Sequence, residues 1–513
     1  MGGGGRSFAG RPGLIHPDEH YQGLEVAHFL LYGYGDLTWE WHVSSYSPIR
    51  SILFPMQLAL IMKLVSLFTS NYELILLSTR IWTALLSSIL IPLMISFVFF
   101  LLPIEIDKKI KTKISLFVGV FVSFNYLLLK YSWHTFSNVY ILPIMIASLI
   151  PLFLKANNKK VKSLYLFIGG FFCSYVIILR PEMLVFYGIF IIIFLPSFFR
   201  KINSSWILGV IIGLIYNGLI DFFYYHIFPF TSILNYFFFQ QSRSDFYGIE
   251  PFGYYSNVFI FSNIIIFILF CLSSIYLLYD LLSPIFICRN IKAFYDNILN
   301  NPLLSLQIKL LTLVFTILMI WEMIPHKEER FLLFWYLFLI IYCTLGSYLF
   351  FFQLWKNITK IALKYGFYFK NKKYSWLLII KYAVILIFVG LIIFDNLALF
   401  SITDSSPFQE LESSVLFVGQ QNDLTGLVVV FPAPHYVGTM AYLHRDVPVL
   451  RILNQPYIPN FTFLLPKIYN YIIIPRELYN NYTFIPQELM KYNFIVERTI
   501  EKTYPVDIWH KIL

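Results

Sequence analysis

Long apolar runs alternate with short charged clusters along most of this chain. Ten of the runs, near 81–102, 114–129, 138–154, 163–179, 183–199, 206–222, 258–280, 303–321, 331–353 and 375–397, approach the length a helix needs to cross a bilayer, about 17 to 25 residues. A further run, 52–69, is amphipathic and interrupted by Pro55, Gln57 and Lys63, which predicts a helix lying in the interface. From about residue 398 the pattern changes. Prolines at 407, 432, 434, 448, 456, 459, 466, 475, 486 and 505 separate short runs such as Leu427–Phe431; this predicts a small unit of strands and turns resting on the membrane. The expected fold class is therefore an all-α polytopic membrane protein with about 10–12 transmembrane helices and a small C-terminal mixed α/β domain. The expected domains are a first aqueous loop with interfacial helices (1–80), a multi-span region (81–397) and the C-terminal domain (398–513).

Composition agrees with a lipid solvent. Of the residues, 58% are hydrophobic and only 13% charged, too little charge to cover an ordinary soluble or disordered chain. Aromatic residues reach 20%, as suits lipid-facing surfaces and interface belts. The formal net charge of +10 does not point to a nucleic-acid partner, because the basic residues sit in short clusters between apolar runs and form no continuous face. Those clusters orient the chain. Lys108, Lys109, Lys111 and Lys113, then Lys155, Lys159, Lys160 and Lys162, then Arg200 and Lys201, Arg289 and Lys292, and the lysines from Lys356 to Lys373 all fall on one side, which is the cytoplasmic one. The opposite side receives the first 50 residues, the turns at 131–138 and 180–182, loop 223–257, the turn at His326 and the tail. Cys173, Cys271, Cys288 and Cys343 have neither metal-ligand nor disulfide spacing. No Walker-type or Gly-rich phosphate loop supports ATP-driven chemistry. Met1–Pro12 is Gly/Arg-rich without the layout of a signal peptide. Asn460-Phe-Thr and Asn481-Tyr-Thr are short enough to be chance glycosylation tripeptides.

Three polar clusters need an explanation. The first is His16-Pro17-Asp18-Glu19, followed by Gln22, Glu25, His28, Asp36, Thr38, Trp39, Glu40, Trp41 and Arg50. Adjacent carboxylates behind a proline at a membrane boundary suit a partly desolvated acid pair with one raised pKa, ready for base work; a plain helix N-cap at Asp18 has the same sequence. Glu25 and His28, at i and i+3, read as a polar helix face rather than a metal pair. The second cluster, His326-Lys327-Glu328-Glu329-Arg330, lies between two spans. It reads either as snorkelling interfacial anchors or, on a side otherwise poor in cations, as a cradle for a lipid phosphate. The third, loop 223–257, interleaves Tyr224, Tyr225, Arg243, Tyr247, Tyr254 and Tyr255 with amides and glycine, a surface for sugar or prenyl groups or an aromatic belt.

The stretch from His16 to Pro55, HKEERF at 326–331, and Asp245-Phe-Tyr-Gly-Ile-Glu-Pro-Phe-Gly-Tyr-Tyr resemble three ordered motifs of the Alg9-like alpha-mannosyltransferases, glycosyltransferase family 22 of GT-C architecture. The Gly-Tyr-Gly, Thr-Trp-Glu-Trp and Arg-Ser elements are most similar to the GPI-anchor branch that adds the third mannose, while Tyr442-Leu-His-Arg-Asp-Val-Pro is also similar to bacterial members. The resemblance implies an inverting enzyme that moves mannose from dolichyl- or polyprenyl-phosphate mannose to a lipid-linked glycan, a GPI precursor first, an N-glycan precursor or bacterial glycolipid otherwise. It implies Asp18 as general base, Glu19 as its partner towards the acceptor, and His326, Lys327 and Arg330 around the leaving phosphate. His16, Gln22, Glu25, Trp39, Glu40, Arg50, Tyr247 and Tyr254 are then the expected substrate-binding residues. No cofactor or metal is required, since basic side chains match a lipid monophosphate, although the acid-rich first loop keeps a divalent ion as an alternative. The implied location is the endoplasmic reticulum membrane in a eukaryote or the inner membrane in a bacterium. Family members begin with a span before the acidic loop, so a truncated start or a missing first helix is expected. A secondary transporter is the rival class, but it calls for polar sites at mid-membrane, whereas Asp221, Glu322 and Asp395 fall near span ends. A non-catalytic lipid-binding subunit is the third reading.

Overall fold

A computed structural model describes residues 17–44, 47–155, 157–195, 204–243, 248–262, 264–288, 300–364, 390, 409–430, 440–452, 469–475, 489–490, 493–500 and 506–511. Among these, six helices are long and apolar enough to cross a membrane: Tyr72–Leu101, Lys159–Leu179, Ser204–Tyr225, Ile264–Ser283, Pro302–Glu322 and Glu329–Asn357. Shorter apolar helices, Leu53–Ser66, Ser137–Phe153 and Met183–Phe194, stand among them.

The differences from the expected spans have local causes. The first span starts at Tyr72 rather than near 81, because Asn71 caps it: its Oδ1 accepts the backbone N–H of Glu73 at 3.0 Å and of Leu74 at 3.4 Å. The 114–129 stretch is broken in two. Helix Lys108–Ser123 stops, and Asn125 starts a separate helix, Tyr126–Tyr131, by accepting the Leu128 N–H at 3.0 Å. Among the described residues of the 183–199 stretch, Met183–Phe194 form a 12-residue helix that ends at Leu195, about 18 Å long at ~1.5 Å per residue. Within the stretch at 258–280 the described residues belong to helices Tyr254–Ser262 and Ile264–Cys288, and residue 263 lies outside the described residues. That at 375–397 lies outside the described residues except for Gly390.

Two packing features set the frame of the site. Helix Leu333–Lys364 runs through the centre: every side chain from Trp335 to Cys343 is at most 1% exposed, as befits a helix that is apolar on all faces. It anchors the charged 326–330 segment at the mouth of the core. Helices Lys159–Leu179 and Ser204–Tyr225 cross so closely that a Cβ on Gly170 would overlap the Trp206 carbonyl, and one on Gly209 the Phe167 carbonyl. Small residues permit this approach where lipid offers no hydrophobic drive between helices.

The C-terminal unit holds helix Gln409–Gly419 and strands β1 (Leu427–Val430), β2 (Val449–Ile452), β3 (Tyr471–Pro475), β4 (Phe494–Ile500) and β5 (Val506–Lys511). They form one sheet in the order β2-β1-β3-β5-β4, parallel around β1 and antiparallel around β5. Leu427, Val429, Tyr471 and Ile473 join the main core, while Val428, Val430, Ile472 and Ile474 pack with Phe494 and Trp509 on the other face. Burial on both faces explains why β1 and β3 read as unbroken apolar runs instead of alternating.

The first loop, the 131–138 turn, the 326–330 segment and the tail meet at one end of the bundle. Asp18 touches Arg330, Glu19 touches His134, and Arg80 links Glu19 to Tyr442 of the tail.

Candidate active site

Pro17–Glu19 forms one short helical turn, continued by a π turn at His20–Leu24 and by helix Glu25–Tyr32, which ends at Gly33 with φ of 83°. Adjacent helical side chains point about 100° apart, so the two neighbouring carboxylates enter different surroundings. The Asp18 side chain keeps 28% exposure and faces Arg330; the Glu19 side chain has 0%. Glu19 accepts the Thr135 N–H at 3.2 Å, lies 2.8 Å from His134 Nδ1 and sits 3.4 Å from Arg80 Nε. Burial pushes its carboxyl up, but the charges of His134 and Arg80 and the hydrogen bonds from His134 and Thr135 outweigh it and hold the group at about 2. Of the two carboxyls in the expected acid pair, the buried one, Glu19, thus moves down rather than up.

Arg330 opens the central helix in a 3-10 turn, Glu329–Leu332. Its guanidinium pairs with Asp18 and Glu328, and its plane lies 4.9 Å from the Phe136 ring and 5.6 Å from that of Phe331. Arg180 stands 5.4 Å from the same Phe331 ring and pairs with Glu182 at 2.5 Å. Aromatic faces and carboxylates thus orient two guanidiniums at one rim. Glu329 holds Lys130 at 3.0 Å, and His326 Nε2 is 2.9 Å from Glu328 Oε1.

Lys327 points elsewhere. Its Nζ donates to the Glu250 carbonyl at 2.8 Å while the Glu250 N–H donates to Pro325 O at 3.0 Å. Lys327 therefore ties the 248–255 segment to the 326–330 segment. Glu322 completes this joint: it accepts the N–H groups of Gly253 at 3.0 Å and Ser256 at 2.9 Å, capping helix Tyr254–Ser262 from outside. Tyr254 stands at that helix start, where burial raises its hydroxyl.

Glu40 pairs with Arg50 at 3.1 Å, and Trp39 packs its ring 5.1 Å from Phe239, so both lie towards loop 223–257. Gln22 is half-buried. Glu25 accepts the Asp36 N–H at 2.7 Å and approaches His20 Nε2 at 2.7 Å. Glu25 and His28 are fully buried, not a solvated polar face; desolvation lowers His28 to about 4. His16 and Tyr247 lie outside the described residues. Among the described residues no three His, Cys, Asp or Glu side chains converge as a metal would need.

Sequence reasoning missed Arg80, His134, Arg180 and Glu322 as parts of this region. Arg80, a cation inside an apolar run, carried the one usable signal, since a charge there requires a partner.

The sequence profile of the Alg9-like mannosyltransferase family matches residues 7–413. GPI mannosyltransferase 3 of Yarrowia lipolytica is 30% identical over 253 residues, 47% of this chain and 46% of that protein. That of Candida albicans is 29% identical over 248 residues, 47% of each. The chain thus matches about half the length of these curated relatives. In fold, it is similar to ArnT from Cupriavidus metallidurans, solved bound to undecaprenyl phosphate, with a TM-score of 0.56 at 10% identity, covering 97% of this chain and 94% of that one. It is also similar to the Archaeoglobus fulgidus oligosaccharyltransferase, with a TM-score of 0.50 at 13% identity, covering 93% and 69%.

Proposed function

The chain belongs to the Alg9-like mannosyltransferase family, and from that premise we propose that it transfers mannose from a polyprenyl-phosphate carrier such as dolichyl-phosphate mannose to a lipid-linked glycan, a GPI-anchor precursor foremost, at the endoplasmic reticulum membrane. The observation that carries this reading is the direct pairing of Asp18 with Arg330 across 312 residues of sequence. A carboxylate able to take a proton and a guanidinium able to hold a phosphate meet at one end of the bundle, where two lipid head groups meet while their tails stay in the bilayer. The undecaprenyl phosphate of the ArnT structure is a ligand of the same chemical class as the proposed donor.

In the reaction, Asp18 removes the proton of the acceptor hydroxyl as its oxygen forms a bond to mannose C1. The bond from C1 to the phosphate oxygen breaks with inversion, and both electrons leave with the phosphate. Arg330, steadied by Phe136 and Phe331, meets the growing charge on that oxygen, with Arg180 beside it. Donor binding exchanges the Asp18 carboxylate for a phosphate oxygen at Arg330, so the base is released as the donor arrives. Lys327 and Glu322 act as positioning residues for the 248–255 segment, and Glu19 fixes the turn that carries Asp18. Guanidinium groups supply the positive charge, and transfer proceeds without a divalent ion.

The test is transfer from radiolabelled dolichyl-phosphate mannose to GPI and N-glycan lipid precursors by the purified protein, with linkage analysis and a parallel run in chelator. Asp18→Asn should cut the rate ~10²–10⁴-fold, the contribution of a general base, while donor binding persists. An unchanged rate removes Asp18 from the mechanism.

A further inference from the structure

We propose that a cleft between the start of helix Tyr72–Leu101 and the C-terminal unit is a saccharide subsite that seats the mannosylated head of the acceptor; the assignment rests on the transfer reaction proposed above. The cleft encloses about 590 Å³ and its walls include Asn71, Tyr72, Glu73, Gln420, His444 and Arg445. That volume falls within the ~300–1,000 Å³ of small-molecule sites.

Its chemistry favours a neutral polyol over an anion. The His444 and Tyr72 rings, both in the wall, stack on each other at 3.7 Å and 7°, an amphipathic aromatic pair of the kind that packs against a sugar. In the same walls, Gln420 Nε2 donates to Glu73 Oε1 at 3.1 Å, and Arg445 Nε donates to Gly419 O at 3.2 Å. The lining thus carries one carboxylate and one guanidinium together with the amides of Asn71 and Gln420. Such a mixture offers both donors and acceptors to hydroxyl groups, whereas a phosphate site would carry an excess of cations. His444 adopts φ of +49°, and its Nδ1 is 3.2 Å from His28 Nε2. A non-glycine residue held in this sparsely populated region needs its surroundings to fix it, and such residues gather at ligand sites.

Position gives the cleft its substrate. Tyr442, also in its wall, accepts a hydrogen bond from Arg80 Nη2 at 3.3 Å. Arg80 in turn pairs with Glu19, the residue next to Asp18. The cleft is therefore joined through Arg80 and Glu19 to the turn that carries Asp18, while Arg330 contacts Asp18 directly. Acceptor sugar and donor phosphate would thus be held by different partners of one turn. The cleft combines residues 70–73, inside the 7–413 stretch matched by the family profile, with lining residues between 416 and 445, which lie beyond it.

The test uses the full chain in detergent and an α-linked mannotriose, read by saturation-transfer NMR without donor, alongside steady-state kinetics with a lipid-linked acceptor. The cleft reading expects saturation transfer to the trisaccharide, weakened in Gln420→Ala and Glu73→Gln. It also expects an acceptor KM raised ~10-fold in both, as for loss of a hydrogen bond to a ligand, with kcat and donor KM unchanged. Ser70→Trp, which fills the cleft from its exposed rim, serves if either variant fails to fold. Absence of saturation transfer in the unaltered protein, or an acceptor KM that Ser70→Trp leaves unchanged, overturns the assignment. A protein that contacts mannotriose through this cleft yet transfers no mannose keeps the subsite and loses the transfer reading.

Discussion

Replacing Glu19 by Gln tests whether the turn that carries Asp18 is held by charge. The side chain is fully buried beside Arg80 and His134, and its carboxyl is lowered from 4.5 to about 2. At ~1.36 kcal/mol per pKa unit, that difference corresponds to about 3 kcal/mol of stability at neutral pH. The folded-state value lies below the unfolded one, so this contribution is fully present above about pH 4.5 and is lost as pH falls towards 2. Gln keeps the shape and an acceptor for the Thr135 N–H, but it removes the Glu19 charge that faces Arg80 in an apolar helix. The assay is unfolding of wild type, Glu19→Gln, Arg80→Met and the double variant in mild detergent at pH 7 and at the lowest pH the detergent tolerates. The two single variants should each lose ~3 kcal/mol at pH 7, the double variant much less than their sum, and the Glu19→Gln deficit should shrink in acid. Equal stability of wild type and Glu19→Gln at pH 7, or a deficit independent of pH, would refute the electrostatic account and leave Glu19 as a packing residue.

Two further substitutions probe the rim. Arg330→Lys keeps the charge but not the planar group that spans Asp18 and Glu328 between two aromatic rings. Transfer should fall ~10–100-fold in kcat/KM with the fold intact; undiminished kcat/KM would mean that a point charge suffices. Glu322→Gln retains only one carbonyl oxygen for the two N–H groups of Gly253 and Ser256. It should cost about 1 kcal/mol, seen as faster amide exchange at those two positions; unaltered exchange there would show that the cap is dispensable.

The class of protein and the grouping of its charged loops are legible in the chain alone. Run length and low charge demand a lipid solvent, and the lysine clusters sort the loops, which groups the acidic first loop, the 326–330 segment and the tail, as their contacts in the fold also do. Both are one-dimensional properties, which need only composition and spacing. The run at Leu427–Phe431 is legible as a short strand, whereas burial of β1 and β3 on both faces is a result of packing. What each charge does was decided only by the tertiary structure. Asp18 and Glu19 are neighbours in the chain, yet one meets Arg330 and the other Arg80 and His134, because helical geometry turns them apart and partners from distant segments then set their chemistry. Lys327 and Arg330 read alike as cations, yet one is taken up by the Glu250 carbonyl and the other stands between two carboxylates. Span lengths likewise depended on caps at Asn71 and Asn125, which act through hydrogen-bond direction. A side chain's role follows from what it faces, and facing is a property of packed elements rather than of sequence order.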